Sequence, residues 1–251
     1  LSVIKPNVAH TMIFTKDSEF LNLVRGERDH DKYGVTHTIP HQLVDQEKAS
    51  RLLATVTTNC RSCSSSELKR IISLGESPLA NNLLDSPTDS YETYPLEMNY
   101  CPTCHNCQLS YTVDPSKMFD NYLYVSSTSS KFRKHFEDAA SKYVKDYDLT
   151  KDSLVIDIGS NDGIALKPLR AAGIRAIGVE PAVNIAKIAN EKGLETINGY
   201  FNDSIANQIL TKYGKADLVT ASNVFAHSDN LKDISRNTFN ILCSITTFFY
   251  R

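Results

Sequence analysis

The chain has 251 residues, of which 41% are hydrophobic and 22% are charged, and its formal net charge at pH 7 is −2. This balance is typical of a folded soluble protein and excludes the strongly basic surface that nucleic-acid binding requires. No apolar run reaches the roughly 18 residues of a membrane span, and the N-terminus lacks the basic and apolar segments of a signal peptide. We therefore expect a cytoplasmic protein whose six cysteines are free thiols or metal ligands.

Residues 1–47 contain two β-like runs, at 11–14 and 20–24, with polar turn residues between and after them. This part of the chain resembles the last hairpin and tail of a small cupin-like domain of the kind that isomerises or epimerises keto sugars. The resemblance predicts a remnant of such a domain. The spacing of the four histidines at positions 10, 30, 37 and 41 fits no metal-ligand pattern, so we expect surface or structural histidines.

A metal site is predicted in the next segment. Cys60-Arg-Ser-Cys63 and Cys101-Pro-Thr-Cys104 form two C-x-x-C knuckles. Four thiolates converge readily on a tetrahedral ion and leave no open coordination position, which is typical of structural zinc. A rubredoxin-like iron site uses the same ligands, so the spacing alone does not separate zinc from iron. Cys107 adds a third step of the same spacing.

Two features lie between the second knuckle and the central part of the chain. Residues 122–129, Y-L-Y-V-S-S-T-S, are rich in hydroxyl groups. Residues 131–147 carry apolar side chains at helical spacing, and Ser129 or Ser130 can cap this predicted helix.

Residues 154–181 predict one βαβ unit. The apolar run 154–158 is typical of a buried parallel strand, and a glycine-containing turn, G-S-N-D-G, follows it. A helix with an apolar stripe leads to a second strand over 176–179, which ends at Glu180. Glycines at 159 and 163 let the backbone pass close under a ligand, and the carboxylate of Glu180 can accept both hydroxyls of a ribose.

The turn sequence bears on the choice of ligand. A dinucleotide fold requires G-x-G-x-x-G, and the pyrophosphate would need a glycine where Asn161 stands and would meet Asp162 directly. A cationic ligand without phosphates, such as S-adenosylmethionine, is favoured by the same acids. A nicotinamide-dependent oxidoreductase remains an alternative from these residues alone.

Further α/β elements follow. We predict a helix over 183–192, a strand and turn over 196–201, a helix capped by Asp203, a strand over 216–221, a helix over 229–242 and a fifth strand from 244. Ligands bind beyond the carboxyl ends of strands in such sheets. His227 follows the fourth strand and is therefore a candidate for proton transfer.

The motifs D-I-G-S-N-D-G and G-V-E-P resemble the S-adenosylmethionine-binding core of class I methyltransferases. More narrowly, the chain resembles the sugar C-methyltransferase family, which carries a zinc-binding domain in front of that core. The narrower resemblance is carried by the Gln-Leu pair after the second knuckle, by Y-L-Y-x-S-x-T-S and by N-V-F-A-H. It implies an α/β protein with a Rossmann-like methyltransferase core over 131–251, an incomplete sheet in that core, a small four-cysteine zinc-binding domain over 48–130 and the cupin-like remnant over 1–47.

The resemblance implies S-adenosylmethionine and structural zinc as cofactors and a nucleotide-sugar as substrate, with neither nucleic acid nor membrane as partner. The implied zinc ligands are Cys60, Cys63, Cys101 and Cys104. The implied catalytic residues are His227, Tyr122 and Tyr124. The implied cofactor-binding residues are Asp157, Gly159, Ser160, Asn161, Gly163, Glu180, Pro181, Asn198, Tyr200 and Asn223. Cys107 falls where the family has an apolar residue, so we expect it to be buried.

The activity that the resemblance implies is C-methylation of a nucleotide-linked 4-keto-6-deoxy sugar. Sugar O- or N-methylation is the first alternative, and a zinc-ribbon binding module attached to a degenerate nucleotide fold is the second. The family's sheet has seven strands and its members have a further C-terminal domain, whereas this sequence predicts about five strands. We therefore expect a truncated copy with marginal stability and an incomplete active site.

Overall fold

The computed structural model describes residues 56–80 and 82–250, and of residues 244–250 it describes the backbone alone. The predicted cupin-like remnant and its four histidines lie outside the described residues. Among the described residues, no helix is both long enough and apolar enough to cross a membrane.

The first part of the described chain is a small antiparallel sheet. Its strands are β1 (Lys69–Pro78), β2 (Thr93–Tyr100) and β3 (Cys107–Leu109), in the order β1-β2-β3. The pairing of Tyr100 with Cys107 joins the two strands that flank the second cysteine knuckle. The small sheet therefore fixes the position of that knuckle.

A connecting region leads to the second sheet. It consists of the short helix α1 (Ser116–Phe119), a 3₁₀ turn (Ser126–Thr128) and the long helix α2 (Ser130–Asp146). The Ser129 hydroxyl accepts a hydrogen bond from the backbone N–H of Phe132, so the predicted cap and helix are both present. We call residues 122–128 the strap, because this segment lies along one wall of the main cleft.

The second sheet is parallel, and five of its strands lie in the described residues. They are β4 (Leu154–Ile158), β5 (Arg175–Glu180), β6 (Thr196–Asn198), β7 (Ala216–Ala221) and β8 (Leu242–Tyr250). Their order is β6-β5-β4-β7-β8, so the chain first builds outward from β4 on one side and then crosses to the other side. The switch between β4 and β7 opens a crevice at the carboxyl ends of these two strands.

Helices cover both faces of this sheet. They are α2 with α3 (Leu166–Ala171) and α4 (Val183–Glu191) on one side, and α5 (Asp203–Tyr213) with α6 (Leu231–Ile241) on the other. All five residues of β4 are buried, as a central parallel strand requires. Alternate residues of β4 enter the two hydrophobic clusters, with Ile156 on the α5 and α6 side and Val155 on the other.

One predicted cap is wrong. The residue that caps α5 is Asn202, whose side-chain oxygen accepts the backbone N–H of Ile205, and Asp203 is the first residue inside the helix. Asn and Asp cap helices equally well, so composition alone cannot choose between neighbours.

Candidate functional site

A cleft of about 760 Å³ lies at the carboxyl ends of β4, β5 and β7. Its floor comes from the turn after β4 and from Glu180 at the end of β5. Its walls come from the strap, from α2 and from the segment 222–234 after β7. The cleft therefore lies at the topological switch point, where parallel α/β sheets bind ligands.

The turn after β4 needs its first glycine. Gly159 has φ +67°, and a Cβ atom at this position would lie 2.3 Å from Cγ2 of Val224. Asn161 also has a left-handed backbone, at φ +49°. The turn thus packs against the segment after β7, and its backbone forms the cleft floor.

Glu180 is buried, and its two carboxylate oxygens each accept a backbone N–H, from Ala182 and from Asn161, both at 2.9 Å. Burial raises the pKa of Glu180, while these two N–H groups lower it. Each carboxylate oxygen retains a second lone pair. Glu180 can therefore still accept the hydroxyls of a ribose.

Asp157 lies at the end of β4 and is 4% exposed. The Thr220 hydroxyl donates to its Oδ1 at 2.6 Å. Burial raises the pKa of Asp157 to about 7, the Thr220 hydroxyl opposes the rise, and the neighbouring charge of Glu180 adds to it. The cleft floor thus carries a carboxyl group that titrates near neutrality, which a cation would ionise.

Ser160 is the third polar residue of the floor. It belongs to the cleft lining, but its hydroxyl is buried next to Gly178 of β5 and has no hydrogen-bond partner in the structure.

The next two residues hold the strap. The Asn161 amide accepts the backbone N–H of Ser126 at 2.8 Å and donates to the carbonyl of Tyr124 at 3.1 Å. The Asp162 carboxylate accepts the N–H and the hydroxyl of Ser127. Sequence reasoning placed Asp162 in the path of a pyrophosphate, and that prediction is wrong, because this side chain is fully buried beneath the strap and does not line the cleft.

Eight of the ten predicted cofactor residues line the cleft, namely Asp157, Gly159, Ser160, Asn161, Glu180, Pro181, Tyr200 and Asn223. The other two support it from behind. Gly163 packs against Leu194, and the Asn198 amide donates to the carbonyls of Glu180 and Pro181, both at 2.9 Å.

All three predicted catalytic side chains line the same cleft. Tyr122 and Tyr124 come from the strap, with ring centroids 6.4 Å apart in an edge-on arrangement. His227 closes a 3₁₀ turn, Phe225–His227, beyond the end of β7. Two aromatic hydroxyls and an imidazole thus line the space above the floor.

The sequence did not single out several residues that shape the cleft. Phe132 and Phe136 of α2 line it, and their rings meet edge to face with centroids 5.2 Å apart. They were part of a helical apolar stripe, which predicts burial but not a ligand wall. The Tyr200 hydroxyl donates to Asp120 Oδ1 at 2.7 Å, and burial with this carboxylate raises the pKa of Tyr200.

Acidic residues predominate among the charged side chains that line the cleft. Four carboxyl groups line it, from Asp157, Glu180, Asp229 and Asp233, and no Lys or Arg is among its described lining residues. Asp229 pairs with Arg61 and Asp233 pairs with Arg236, so Asp157 and Glu180 on the floor remain as the acids without an ion-pair partner among the described residues. A phosphate group on the floor would be repelled by these two carboxyl groups, whereas a sulfonium or ammonium group would be stabilised.

The four predicted metal ligands converge. The sulfur atoms of Cys60, Cys63, Cys101 and Cys104 all lie within 4.8 Å of one another. Burial acts to raise the pKa of Cys60, but the backbone N–H groups of Cys63 and Ser62, together with the thiols of Cys104 and Cys63, lower it to about 6. The backbone N–H of Ser65 acts to lower the pKa of Cys63, but burial and the three other thiols outweigh it and raise that pKa. Thiolate is the form that binds zinc. The donor set therefore fits a closed zinc site with four thiolate ligands.

Gln108 joins the two knuckles, a role that the sequence did not reveal. Its side-chain oxygen accepts the backbone N–H of Arg61 at 2.8 Å, and its amide nitrogen donates to the carbonyl of Asn59 at 3.0 Å. Cys107, expected to be buried, is exposed, because strand β3 turns Gln108 inward and both of its neighbours outward.

Comparison with known proteins gives two family matches. Residues 60–119 match a family model described as "Putative zinc binding domain", and residues 131–245 match one described as "Methyltransferase domain". The predicted fold class, a Rossmann-like methyltransferase core preceded by a four-cysteine zinc-binding domain, is confirmed.

A curated relative, C-methyltransferase NovU of Streptomyces niveus, is 34% identical over 192 residues. The alignment covers 76% of this chain and 46% of the relative, so the chain spans less than half of the relative's length.

The chain is also similar to solved structures of S-adenosylmethionine-dependent methyltransferases from Archaeoglobus fulgidus and Clostridium acetobutylicum. Each is 19% identical with a TM-score of 0.38. The matches cover 46% and 47% of this chain, and 51% and 49% of those chains, respectively.

Proposed function

We propose that this chain, in which a match to a zinc-binding domain precedes a match to a methyltransferase domain, binds S-adenosylmethionine and methylates a carbon atom of a nucleotide-linked 4-keto-6-deoxy sugar. The observation that carries the proposal is the acidic cleft at the switch point of the parallel sheet. We place the reaction in the cytoplasm, where thiolate ligands stay reduced.

The floor of the cleft suits the cofactor. Glu180 suits the ribose hydroxyls, because each of its two carboxylate oxygens accepts one backbone N–H and retains a lone pair. Asp157 supplies negative charge for the ammonium and sulfonium groups. A dinucleotide would bring a pyrophosphate into the same acidic cleft, so the charge favours S-adenosylmethionine over NAD.

The walls suit a keto sugar. When bound, S-adenosylmethionine supplies an electrophilic methyl group. A ketone acidifies the neighbouring C–H, and an imidazole nitrogen of His227 accepts that proton, which leaves an enolate as the carbon nucleophile. Tyr122 and Tyr124 hold the sugar through their hydroxyls. The diphosphate of a nucleotide-sugar lies outside the cleft, because none of the described lining residues carries a positive charge to receive it.

Calorimetric titration with S-adenosylmethionine and with NAD tests the cofactor. We expect S-adenosylmethionine to bind, and Glu180→Gln to weaken it about tenfold or more, because a charged hydrogen-bond acceptor is lost. Glu195→Gln is the matched control, since Glu195 pairs with Lys212 at 2.8 Å and does not line the cleft. Binding of NAD instead, or of neither ligand to folded, zinc-loaded protein, would contradict the proposal.

Deuterium exchange at the carbon next to the ketone tests the role of His227. With S-adenosylhomocysteine present, no methyl group is available and proton abstraction is observed alone. We expect a nucleotide-linked 4-keto-6-deoxyhexose in D₂O to exchange with the native chain and not with His227→Gln. Unchanged affinity for S-adenosylhomocysteine shows that the variant's cleft is intact. Equal exchange by both proteins would show that His227 does not accept this proton.

A further inference from the structure

The first cysteine knuckle contacts the loop that carries His227. Arg61 stands between the ligands Cys60 and Cys63, and its Nε atom forms an ion pair with Oδ1 of Asp229 at 3.3 Å, although Nε is not aligned for a hydrogen bond. The same guanidinium donates through Nη2 to the Thr112 hydroxyl at 2.6 Å, and this hydroxyl donates to the same Asp229 oxygen at 3.1 Å. Arg61, Thr112 and Asp229 thus form a closed set of contacts.

A second contact lies beside the first. The Lys232 ammonium donates to the hydroxyl of Ser64 at 2.6 Å. Ser64 follows the knuckle directly, and Lys232 follows the loop at the start of α6. One residue inside the knuckle, Arg61, and one directly after it, Ser64, therefore contact the segment that leads from the cleft into α6.

Arg61 and the loop 223–230 differ in how firmly the rest of the protein holds them. The Arg61 side chain is 14% exposed, and its backbone N–H is bound by Gln108. A metal bound by the four cysteines would fix the backbone on both sides of Arg61. The loop 223–230 has no buried residue, and the N–H groups of His227 and Ser228 are held only by carbonyls of the loop itself.

We propose that Arg61 is a positioning residue, which holds the loop 223–230 through Asp229 so that His227 faces the cleft. The catalytic significance of this role rests on the proposed function, because the proposed function assigns proton transfer to His227. The zinc-binding domain then contributes directly to the methyltransferase site, through an arginine placed inside its own ligand motif. A guanidinium suits this task because its planar fork contacts a hydroxyl and a carboxylate together.

Amide hydrogen exchange of the zinc-loaded chain tests the proposal, in Arg61→Gln, Asp229→Asn and the double variant. We expect exchange at His227 and Ser228 to rise roughly two- to fivefold in either single variant, the scale of an ion pair with one exposed partner. The double variant is expected to add nothing, because both changes remove the same contact. Arg61→Lys is expected to restore part of the protection, since it keeps the charge and loses the fork.

The control is Lys134→Gln, which breaks an exposed 2.6 Å ion pair with Asp138 on α2 and is expected to leave the loop unchanged. Zinc content is measured for every variant. If Arg61→Gln loses zinc, Asp229→Asn decides the question, because Asp229 lies outside the knuckle. Unchanged loop exchange in zinc-loaded Asp229→Asn, or full additivity in the double variant, would overturn the proposal.

The result is separable from the proposed function. Exchange is measured without any ligand, so it reports on the loop even if S-adenosylmethionine does not bind. Failure of the native chain to bind S-adenosylmethionine would refute the proposed function and leave the contact between Arg61 and the loop to be judged by exchange alone.

Discussion

Replacement of Asp162 by alanine is expected to lower the free energy of unfolding by about 3 kcal/mol. The Asp162 carboxylate is fully buried and accepts three donors, the N–H and hydroxyl of Ser127 and the ammonium of Lys192 at 2.6 Å. Breaking a buried ion pair costs roughly 3–5 kcal/mol. We take the lower end, because Lys192 is 44% exposed and can turn into solvent, whereas the strap loses two hydrogen bonds.

Urea unfolding monitored by circular dichroism measures this cost, with Asp138→Ala as the control. Asp138 also pairs with a lysine at 2.6 Å, but both side chains are more than 60% exposed, so its loss should cost only about 0.5 kcal/mol. Asp162→Asn keeps the shape of the side chain, and its loss in free energy of unfolding is expected to lie between the losses for Asp162→Ala and Asp138→Ala. A cost for Asp162→Ala no larger than that of Asp138→Ala would refute the argument that this residue holds the strap.

Two further predictions concern the cleft floor. Gly159→Ala is expected to abolish S-adenosylmethionine binding in calorimetry, since its Cβ would lie 2.3 Å from Val224 at φ +67°, while Gly214→Ala, also at positive φ but with open space around it, should leave binding unchanged. The pKa of Asp157 is raised to about 7 in the folded chain, so the unfolded chain loses this proton first as the pH rises. The free energy of unfolding is therefore expected to fall by roughly 4 kcal/mol between pH 4 and pH 7 through this one group. Thermal unfolding from pH 4 to 8 should show this loss as a difference between the native chain and Asp157→Asn, and parallel profiles would contradict it.

The parallel sheet was predictable because its strands carry an unambiguous pattern. β4 is buried on both faces and is apolar apart from its one acid, and a glycine turn and an apolar helical stripe follow it. The four metal ligands were predictable for a similar reason, since two C-x-x-C pairs specify a tetrahedral set with little help from the rest of the fold.

The positions of the side chains around the turn after β4 were not predictable in the same way. The motif G-S-N-D-G placed Asn161 and Asp162 beside the cleft, but it could not show that both side chains bind the strap. That outcome depends on a segment 35 residues earlier in the chain, which no local pattern connects to the turn. The contact between Arg61 and Asp229 was hidden for the same reason, because it joins two domains across the sequence.

The contacts of Asn161, Asp162 and Arg61 that the sequence did not predict share one physical role, which is to hold segments that line the cleft. The proposed transfer of a methyl group to an enolate requires little covalent chemistry from the protein, so its rate would depend mainly on how precisely the two reactants are held together. The sheet provides a rigid floor through Asp157 and Glu180, and α2 packs against the sheet, but the strap and the segment after β7 are walls without a sheet behind them. Asn161 and Asp162 hold one of these segments and Arg61 holds the other, so polar side chains supply the precision that the loops lack. This accounts for the polar side chains near the cleft that bind the strap and the loop 223–230.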